Sequence, residues 1–355
     1  MIEHMDNFSA YGTNAALLLN GVYAQNGDCS ITADPAPGAT GRCLLLPQSY
    51  GGGGTYAKLR YVLQVPATTI GLCARVWIDE LTDSNSKVQM PFVLCDSGNN
   101  PLYTVYFTTT GRINVAQGFY SGSVIASTPL PVVTANGWYH LELKVIKDAV
   151  NGLIELRVEG NTVISFEGNT GAGAVYQVQY ANRSDNTSAG MAFRMKDLVI
   201  WNQEGTYNND WMGSVVVYNM QPTADVDLNW TPSVGATGWE ILDNSPPVTA
   251  QYLAAVTPPP APYVCEVNDV PPDVTTVRGI MTMVRAAKTD GGDAGFQVGI
   301  ISDPDGVPAT ALGANRPITV AQTYWRDVFE EDPKTNAPFL PSALNEINLQ
   351  LNRTM

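Results

Sequence analysis

Apolar and polar residues alternate most regularly along the segment that starts at Gly137. One set of alternate positions is mainly apolar, and the other set carries polar or amphipathic side chains. The first set is Tyr139, Leu141, Leu143 and Val145, and the second is Trp138, His140, Glu142 and Lys144. A period of two residues is typical of a strand that is buried on one face, so we predict that the second set faces solvent.

Two turn signals follow this strand. Asn151-Gly152 and Gly160-Asn161 supply residues that adopt positive φ at little cost, as tight β-hairpins require. Between the two turns, Ile154, Leu156 and Val158 alternate with charged side chains, and a third apolar run follows the second turn. We therefore predict an antiparallel meander of three strands.

Similar strand-like runs recur at short spacing on both sides of the meander. They cover residues 70–78, 88–95, 102–108, 111–115 and 192–201. Many short strands separated by turn residues are typical of a β-sandwich or jelly roll, so the sequence predicts an all-β fold.

The pattern changes after residue 204. Turn residues and proline dominate as far as the Pro-rich run 257–262, which is typical of a stiff, extended connection. Beyond it we predict strands over 263–267, 274–287, 295–301 and 323–329, and a short helix over 341–351. The predicted organisation is a jelly-roll domain over residues 1–204, a turn-rich connecting region over 205–262, and a smaller β-sandwich domain over 263–355.

Composition and charge narrow the classes of partner. Only 15% of the 355 residues are charged, whereas glycine (32) and proline (24) are abundant, and the net charge is −14. The 19 basic residues are scattered singly along the chain. Because a phosphate-binding surface needs clustered Lys and Arg, the sequence argues against nucleic acid as a partner.

The cysteines and the apolar runs bear on where the chain folds. Its five cysteines are Cys29, Cys43, Cys73, Cys95 and Cys265, without C-x-x-C spacing. We expect reduced, buried thiols, as in a protein that folds in a cytoplasm, and a Cys29–Cys43 disulfide is the alternative. The N-terminus lacks the features of a secretory signal. No run approaches the roughly 18 apolar residues of a membrane span, so we predict neither classical secretion nor membrane insertion.

Candidate catalytic groups are few. The chain has two histidines, His4 and His140, and it lacks a nucleophile-elbow pattern. Glu142 shares the predicted strand face of His140, but we expect His140 to be a solvated surface residue. A glycosidase would need two carboxylates facing a cleft, and the sequence alone selects no such pair. We therefore predict no catalytic residues and no enzymatic activity.

Loops rich in Asp and Asn offer the oxygen ligands that calcium prefers. The candidates are Asp210, which ends the run Asn208-Asn-Asp210, together with Asp225 and Asp227. Asx-rich turns also arise from local hydrogen bonding alone, and EF-hand spacing is absent from the sequence. We expect no cofactor, with a structural calcium ion as the alternative.

Aromatic side chains next to polar ones are the candidates for carbohydrate binding. The C–H face of a sugar stacks on a ring while its hydroxyls take hydrogen bonds. The candidates are Trp138 on the polar strand face, Phe119 and Tyr120 in a Gly-rich loop, and Tyr207 and Trp211 in an Asn-rich loop. Packing in a core or against neighbouring subunits is the alternative role for each.

Two sets of segments resemble known families. Residues 137–145, 155–161 and 195–201 are similar to concanavalin A-like, laminin-G-like jelly rolls. Residues 205–213, 221–225 and 229–235, with 284–293 and 324–333, resemble blocks in virion structural proteins of tailed bacteriophages and prophages. The second resemblance implies no catalytic residues.

The resemblance implies a non-enzymatic structural component of a tailed-phage virion, assembled in the host cytoplasm. Its place would be the tail tip, the baseplate or a tail fibre, with receptor binding to a host cell-surface glycan as its role. Its partners would be other virion proteins and further copies of itself in a homo-oligomer, in which many weak contacts give strong attachment. A capsid (head) decoration protein and, further off, a glycan-processing enzyme on a lectin-like fold are the alternatives.

Overall fold

The computed structural model describes residues 1–9, 11, 23–26, 29–39, 41–47, 57–81, 87–184, 192–244, 248, 250–256, 261–289, 291–303 and 305–354. Strands make up 52% of the described residues and helices 3%, so the predicted all-β class is confirmed. The chain divides into two compact units. Of the described residues, 1–9 and 23–217 belong to the first unit, and 11 and 218–354 belong to the second.

The first unit consists of antiparallel strands. In chain order they are β1 (Ile2–Asp6), β2 (Tyr23–Asn26), β3 (Ser30–Ala33), β4 (Arg42–Leu46), β5 (Ala57–Ala67), β6 (Thr69–Ile78), β7 (Lys87–Cys95), β8 (Pro101–Phe107), β9 (Ile113–Gln117), β10 (Val124–Ser127), β11 (Gly137–Ile146), β12 (Gly152–Val158), β13 (Asn161–Gly168), β14 (Val175–Ser184) and β15 (Phe193–Asn202). The predicted meander is confirmed as β11, β12 and β13.

These strands form two sheets that pack face to face. Sheet A has the order β13-β12-β11-β6-β15-β4-β3, and β1 also pairs with β15. Sheet B has the order β10-β9-β8-β7-β14-β5-β2. Asn182 on β14 joins the sheets, since its Nδ2 donates to the Leu46 carbonyl oxygen on β4 at 3.0 Å. The first unit is therefore a two-sheet jelly-roll sandwich.

The inward faces of both sheets follow the period-two pattern. Leu141, Leu143 and Val145 on β11 are 0%, 2% and 0% exposed, as the alternation predicts. On β5 of sheet B, Leu59 and Tyr61 are fully buried in the same way. Because successive side chains point to opposite sides of a strand, the residues between them lie on the outer faces.

The second unit is smaller. Its elements are β16 (Pro222–Asp227), β17 (Thr231–Pro232), α1 (Trp239–Leu242), β18 (Leu253–Ala254), β19 (Tyr263–Val267), β20 (Ile280–Ala286), β21 (Gly295–Ser302), β22 (Ala309–Leu312), β23 (Arg316–Pro317), β24 (Thr323–Phe329), α2 (Pro341–Leu344) and β25 (Ile347–Arg353). Sheet C has the order β16-β19-β25-β21-β22, with β23 also paired with β21. The pairs β17–β18 and β20–β24 are separate ribbons.

The second unit differs from the sequence prediction at two places. The predicted helix over 341–351 is wrong beyond Leu344, because residues 347–353 form β25 between β19 and β21. Ile347 and Leu351 are buried there, so packing in a central strand outweighs local helix propensity. Strand β16 falls inside the predicted connecting region and pairs with β19. Residues 257–260 of the Pro-rich run lie outside the described residues.

All five cysteines are buried, and none of them is in a disulfide. The alternative of a Cys29–Cys43 disulfide is therefore wrong for this structure, in which the Cys43 thiol faces the Ala33 carbonyl oxygen at 3.4 Å. Burial raises the pKa of Cys43, Cys95 and Cys265 to about 12. These three thiols are consequently protonated and weakly nucleophilic at neutral pH.

Candidate functional site

Charge is distributed unevenly between the two sheets of the first unit. The described strands of sheet B contain four basic residues, Lys58, Arg60, Lys87 and Arg183, and no acidic residue. The strands of sheet A contain six acidic and six basic residues. Since the whole chain has 33 acidic and 19 basic residues, the lack of acidic side chains is a local property of sheet B.

One row of side chains crosses the outer face of sheet B. It runs over five adjacent strands, from β5 through β14, β7 and β8 to β9, and consists of Arg60, Gln179, Val93, Thr104 and Ala116. With strands about 4.8 Å apart, the four strands from β5 to β8 span roughly 14 Å. The face is therefore wide enough for an extended ligand.

The middle of this face is apolar and tightly packed. Val88, Met90, Val93, Cys95 and Ala181 form a buried cluster on β7 and β14. We call this cluster the floor. It is separate from the core between the sheets, whose inward side chains on the same strands include Phe92 and Tyr180.

Three aromatic rings stand on one side of the floor. Tyr106 on β8 and the loop residues Phe119 and Tyr120 pack against it, and all three are half-buried. The rings of Phe119 and Tyr120 have centroids 4.8 Å apart in an edge-to-face arrangement, and those of Tyr106 and Tyr120 are 6.3 Å apart. The guanidinium of Arg183 lies 5.2 Å from the Tyr120 centroid, within cation–π range. These four residues form the aromatic wall.

The loop between β9 and β10 positions this wall. The amide of Gly122 donates to the Phe119 carbonyl oxygen at 2.7 Å, which closes a tight turn. A Cβ at Gly122 would stand 2.0 Å from the Gln117 carbonyl oxygen, so only glycine fits there. Thr104 fixes the base of the loop, since its Oγ1 donates to the Gly118 carbonyl oxygen at 2.8 Å.

Amide side chains provide hydrogen-bonding groups on the face. Gln179 donates through Nε2 to Asn99 Oδ1 at 2.5 Å and approaches Cys95 Sγ at 2.9 Å. Gln177, next along the outer face of β14, is 8% exposed, and its buried Oε1 accepts no hydrogen bond. A buried carbonyl oxygen without a donor costs free energy, so such a group indicates a missing partner.

Two cations stand on the side of the floor opposite the aromatic wall. Lys58 lies opposite Ala181, and Arg60 opposite Gln179. Burial lowers the pKa of Lys58, and the Arg60 guanidinium lowers it further. Desolvation is the largest cause, because burial disfavours the charged form of an amine.

Sequence reasoning found part of this face. Phe119 and Tyr120 were predicted, and the structure brings them together. The sequence prediction missed Arg60, Gln177 and Arg183. The strands that carry them share a lack of acidic residues. This feature can be recognised only when those strands are known to form one sheet.

Trp138, the third predicted ligand residue, lies on the outer face of sheet A. Its ring packs edge-to-face on Trp77 at 5.8 Å, and its indole N–H donates to Asp34 Oδ1 at 3.1 Å. Lys196 lies 4.6 Å from the Trp138 centroid and pairs with Asp34 at 2.5 Å. The indole N–H of Trp138 thus already donates to a group of the protein, the Asp34 carboxylate.

Trp211 and Tyr207 belong to residues 203–217, which we call the covering segment. The Arg157 guanidinium stacks 3.7 Å from the Trp211 centroid, and Asp210 pairs with Lys144 at 2.6 Å. Tyr207 is half-buried in the same segment. These residues pack on sheet A, and the structure does not bring them together with Phe119 and Tyr120.

The covering segment overturns the prediction that His140 is solvated. His140 and Glu142 are 2% and 1% exposed. Glu142 Oε1 accepts from the backbone amides of Met212 and Gly213, both at 3.0 Å. The polar strand face is therefore buried beneath a segment that lies about 70 residues later in the chain.

Burial makes the stability of the first unit pH-dependent through His140. Desolvation lowers its pKa from 6.5, although Glu142 and Glu159 oppose the shift and Arg75 adds to it. The unfolded chain therefore binds a proton at a pH where the native chain does not, and stability falls as the pH drops through about 6.5.

We predict that His140→Gln flattens this dependence. Denaturant titrations at about pH 7 and about pH 5.5 should show a smaller loss of unfolding free energy in His140→Gln than in the unsubstituted protein. Equal losses in the two proteins would show that other groups cause the acid sensitivity.

Two of the three candidate calcium ligands, Asp225 and Asp210, have partners within the protein. Asp225 accepts from the amides of Gly238 and Trp239 at 2.7 and 2.8 Å, and from the Tyr263 hydroxyl at 2.6 Å. Asp210 is held by Lys144, which lowers the pKa of that carboxyl. Asp227 is exposed at the end of β16. Within the described ranges, no three His, Cys, Asp or Glu side chains are grouped to hold a metal ion, and no helix is long and apolar enough to cross a membrane.

Comparisons with known proteins give structural likenesses alone. No family model and no curated protein match the chain. Among solved structures, alginate lyase Aly36B is 16% identical, with 56% of this chain and 96% of that chain covered and a TM-score of 0.39. Carbohydrate-binding module CBM66 from Bacillus subtilis is 14% identical, with 51% of this chain and 95% of that chain covered and a TM-score of 0.34.

A sialidase is 12% identical, with a TM-score of 0.39. The match covers 57% of this chain but 19% of the sialidase, so the chain spans about a fifth of that protein's length. At these identities the likenesses show the fold alone, and they agree with the jelly-roll architecture.

These comparisons correct the functional prediction. The solved structures of similar fold include a sialidase, alginate lyases and a carbohydrate-binding module, and none of these points to a virion. The predicted function as a non-enzymatic virion component is therefore wrong. The exclusion of enzymatic activity is corrected with it, since the solved structures of similar fold include proteins named as alginate lyases and a polysaccharide lyase. The part of the sequence prediction that is confirmed is the jelly-roll fold.

Proposed function

We propose that the outer face of sheet B binds a carbohydrate chain. The observation that carries this proposal is the aromatic wall beside a packed floor, with the amide side chains of Gln177 and Gln179 on the same face. Carbohydrate sites combine ring faces for the C–H surface of a sugar with a few placed polar groups for its hydroxyls. The outer face of sheet B has both kinds of group on adjacent strands.

The wall supplies rings that are already ordered. Tyr120 is held by Phe119 on one side and by Tyr106 on another, and it rests on the floor. A ring fixed before binding loses little conformational entropy when a ligand stacks on it. Tyr120 is only partly buried, so it offers part of its ring to a sugar.

Gln177 supplies an independent argument. Gln177 is 8% exposed, and its Oε1 has no hydrogen-bond donor in the described part of the chain. A sugar hydroxyl is a donor of the right kind, and it would remove the desolvation cost that the native structure carries. The proposal rests on these residues, since the solved structures of carbohydrate-binding and carbohydrate-cleaving proteins are too distant to carry it.

The test is the loss of binding in Tyr120→Ala. Affinity electrophoresis of the full chain through gels that contain xylan, dextran, polygalacturonate or alginate should show retardation by at least one polysaccharide. We expect Tyr120→Ala to weaken the retarding interaction about five- to tenfold, since loss of a stacked ring costs on the order of 1 kcal/mol or more. Tyr252→Ala removes an exposed tyrosine of the second unit and should leave the interaction unchanged.

Gln177→Leu separates binding from folding. Removing an unsatisfied buried acceptor should leave the unfolding free energy unchanged or raise it, while the affinity falls. Reducing-end and ultraviolet product assays on the same mixtures detect cleavage of the bound chain, and cleavage that both variants abolish also supports the proposal. Equal retardation of the unsubstituted protein and both variants would contradict it, as would the absence of retardation by every polysaccharide.

A further inference from the structure

We infer that the carbohydrate bound on the outer face of sheet B is a polyanion, a chain that repeats carboxylate or sulfate groups. This inference rests on the proposed function and names its substrate class. The observations behind it are the charge of the sheet B strands and the spacing of the cations Lys58, Arg60 and Arg183.

The two sheets of the first unit differ in charge. Sheet A balances six acidic with six basic residues, whereas the described strands of sheet B have four basic residues and no acidic one. In a chain of net charge −14, a sheet without a carboxylate stands out from the average surface. A ligand that carries negative charge is repelled over most of such a protein and attracted at this face.

Two of the cations lie next to each other at one edge of the floor. Arg60 and Lys58 lie on β5, two residues apart on the same face, beside Gln179 and Ala181 of β14. Their two positive charges lie side by side at one edge of the floor, so both act on a carboxylate or sulfate placed over it. Arg60 is half-exposed and presents a planar guanidinium, which binds both groups through paired hydrogen bonds.

Arg60 and Arg183 are far apart on the outer face of sheet B. Arg60 is paired with Gln179, and Arg183 lies four residues further along the same strand. Four residues of extended strand span roughly 13 Å. Two cationic positions so far apart match a polymer with repeated anionic groups better than one small anion. The Arg183 guanidinium is oriented by its contact with Tyr120, so stacking and charge act at the same end of the face.

The experiment compares charged and neutral chains at several salt concentrations. Polygalacturonate supplies carboxylates, dextran sulfate supplies sulfates, and xylan and dextran are neutral. We expect retardation by at least one of the two polyanions to exceed that by both neutral chains and to weaken as sodium chloride rises, because exposed charges are screened. Arg60→Gln should weaken polyanion binding roughly tenfold and leave any binding of neutral chains unchanged.

Two controls keep the result interpretable. Lys288→Gln changes the net charge equally in the second unit and should have no effect. Thermal unfolding of Arg60→Gln reports whether the fold is intact. The salt titration of the unsubstituted protein tests the role of charge without any substitution. Either polyanion arm supports the inference. If neutral chains bind as tightly as both polyanions and Arg60→Gln changes nothing, the polyanion inference fails while carbohydrate binding stands. If no chain of either kind binds, both proposals fail.

Discussion

Gly71→Ala is expected to destabilise the first unit by about 3 kcal/mol or more, because the new methyl group has no space. Gly71 lies on β6, near the middle of sheet A, and pairs with Trp201 of β15. A Cβ at this position would lie 1.8 Å from Trp201 Cε2 and 2.1 Å from Cζ2. Trp201 is 1% exposed, so its indole can move only by displacing neighbouring core side chains.

Denaturant titration followed by tryptophan fluorescence measures the effect. Gly291→Ala is the matched control, since a Cβ there meets no atom within 4 Å, and it should change stability by less than about 0.5 kcal/mol. A second variant tests the cause. Because Trp201→Leu removes the indole that clashes, the double variant should lose clearly less stability than the sum of the two single losses. A loss below about 1 kcal/mol in Gly71→Ala would show that the sheet adapts to the methyl group.

The sequence predicts those parts of the fold that depend on local chemistry. The three strands of the meander and the inward side of β11 follow from alternation, whereas the two predicted turns are displaced: residues 147–151 connect β11 to β12, and the positive φ after β12 falls at Glu159 and Gly160. Alternation depends on residues that are close in sequence. Strand β25 shows the opposite case, since residues 347–353 become a strand only because β19 and β21 accept hydrogen bonds and side chains on both sides. That environment is not visible in the segment itself.

The candidate site could be predicted from the sequence in part, for the same reason. Phe119 and Tyr120 are found because two aromatic residues in a Gly-rich loop are a local signal. Gln179 and Asn99, which hydrogen-bond on the same face, are 80 residues apart in the chain. The insertion of β14 between β7 and β5 brings them together, and pairing of this kind is set by the whole sheet. Trp138 was assigned to the same function because the sequence does not distinguish the two outer faces.

Glu142 is the position where long-range packing matters most for the outer face of sheet A. Its Oε1 accepts two backbone amides from the covering segment and lies 3.4 Å from the Cys73 thiol. Glu142→Ala leaves the amides of Met212 and Gly213 without an acceptor in a buried site. Each unsatisfied donor costs about 1–3 kcal/mol, so we expect a loss of about 3 kcal/mol in the free energy of unfolding.

Glu142→Gln provides the comparison that identifies the cause. Glutamine keeps a carbonyl oxygen at the Oε1 position, so the two amides retain an acceptor and the loss should be smaller than in the alanine variant. Glu167→Ala removes an exposed carboxylate from β13 of the same sheet and should change stability by less than about 0.5 kcal/mol. If Gln and Ala at position 142 cost the same, the hydrogen bonds to the covering segment are not the source of the stability.

A local measurement then shows whether the covering segment is released. Cys73 is fully buried next to Glu142, so its thiol reacts only when the segment moves away or the unit unfolds. We expect thiol labelling of Cys73, located by peptide mapping, to be faster in Glu142→Ala than in Glu142→Gln. Labelling of Cys95, on the other sheet, should follow global unfolding alone. Faster labelling of Cys73 without a matching change at Cys95 would show that Glu142 fastens the covering segment to sheet A, whereas equal acceleration at both would assign the effect to the stability of the whole unit.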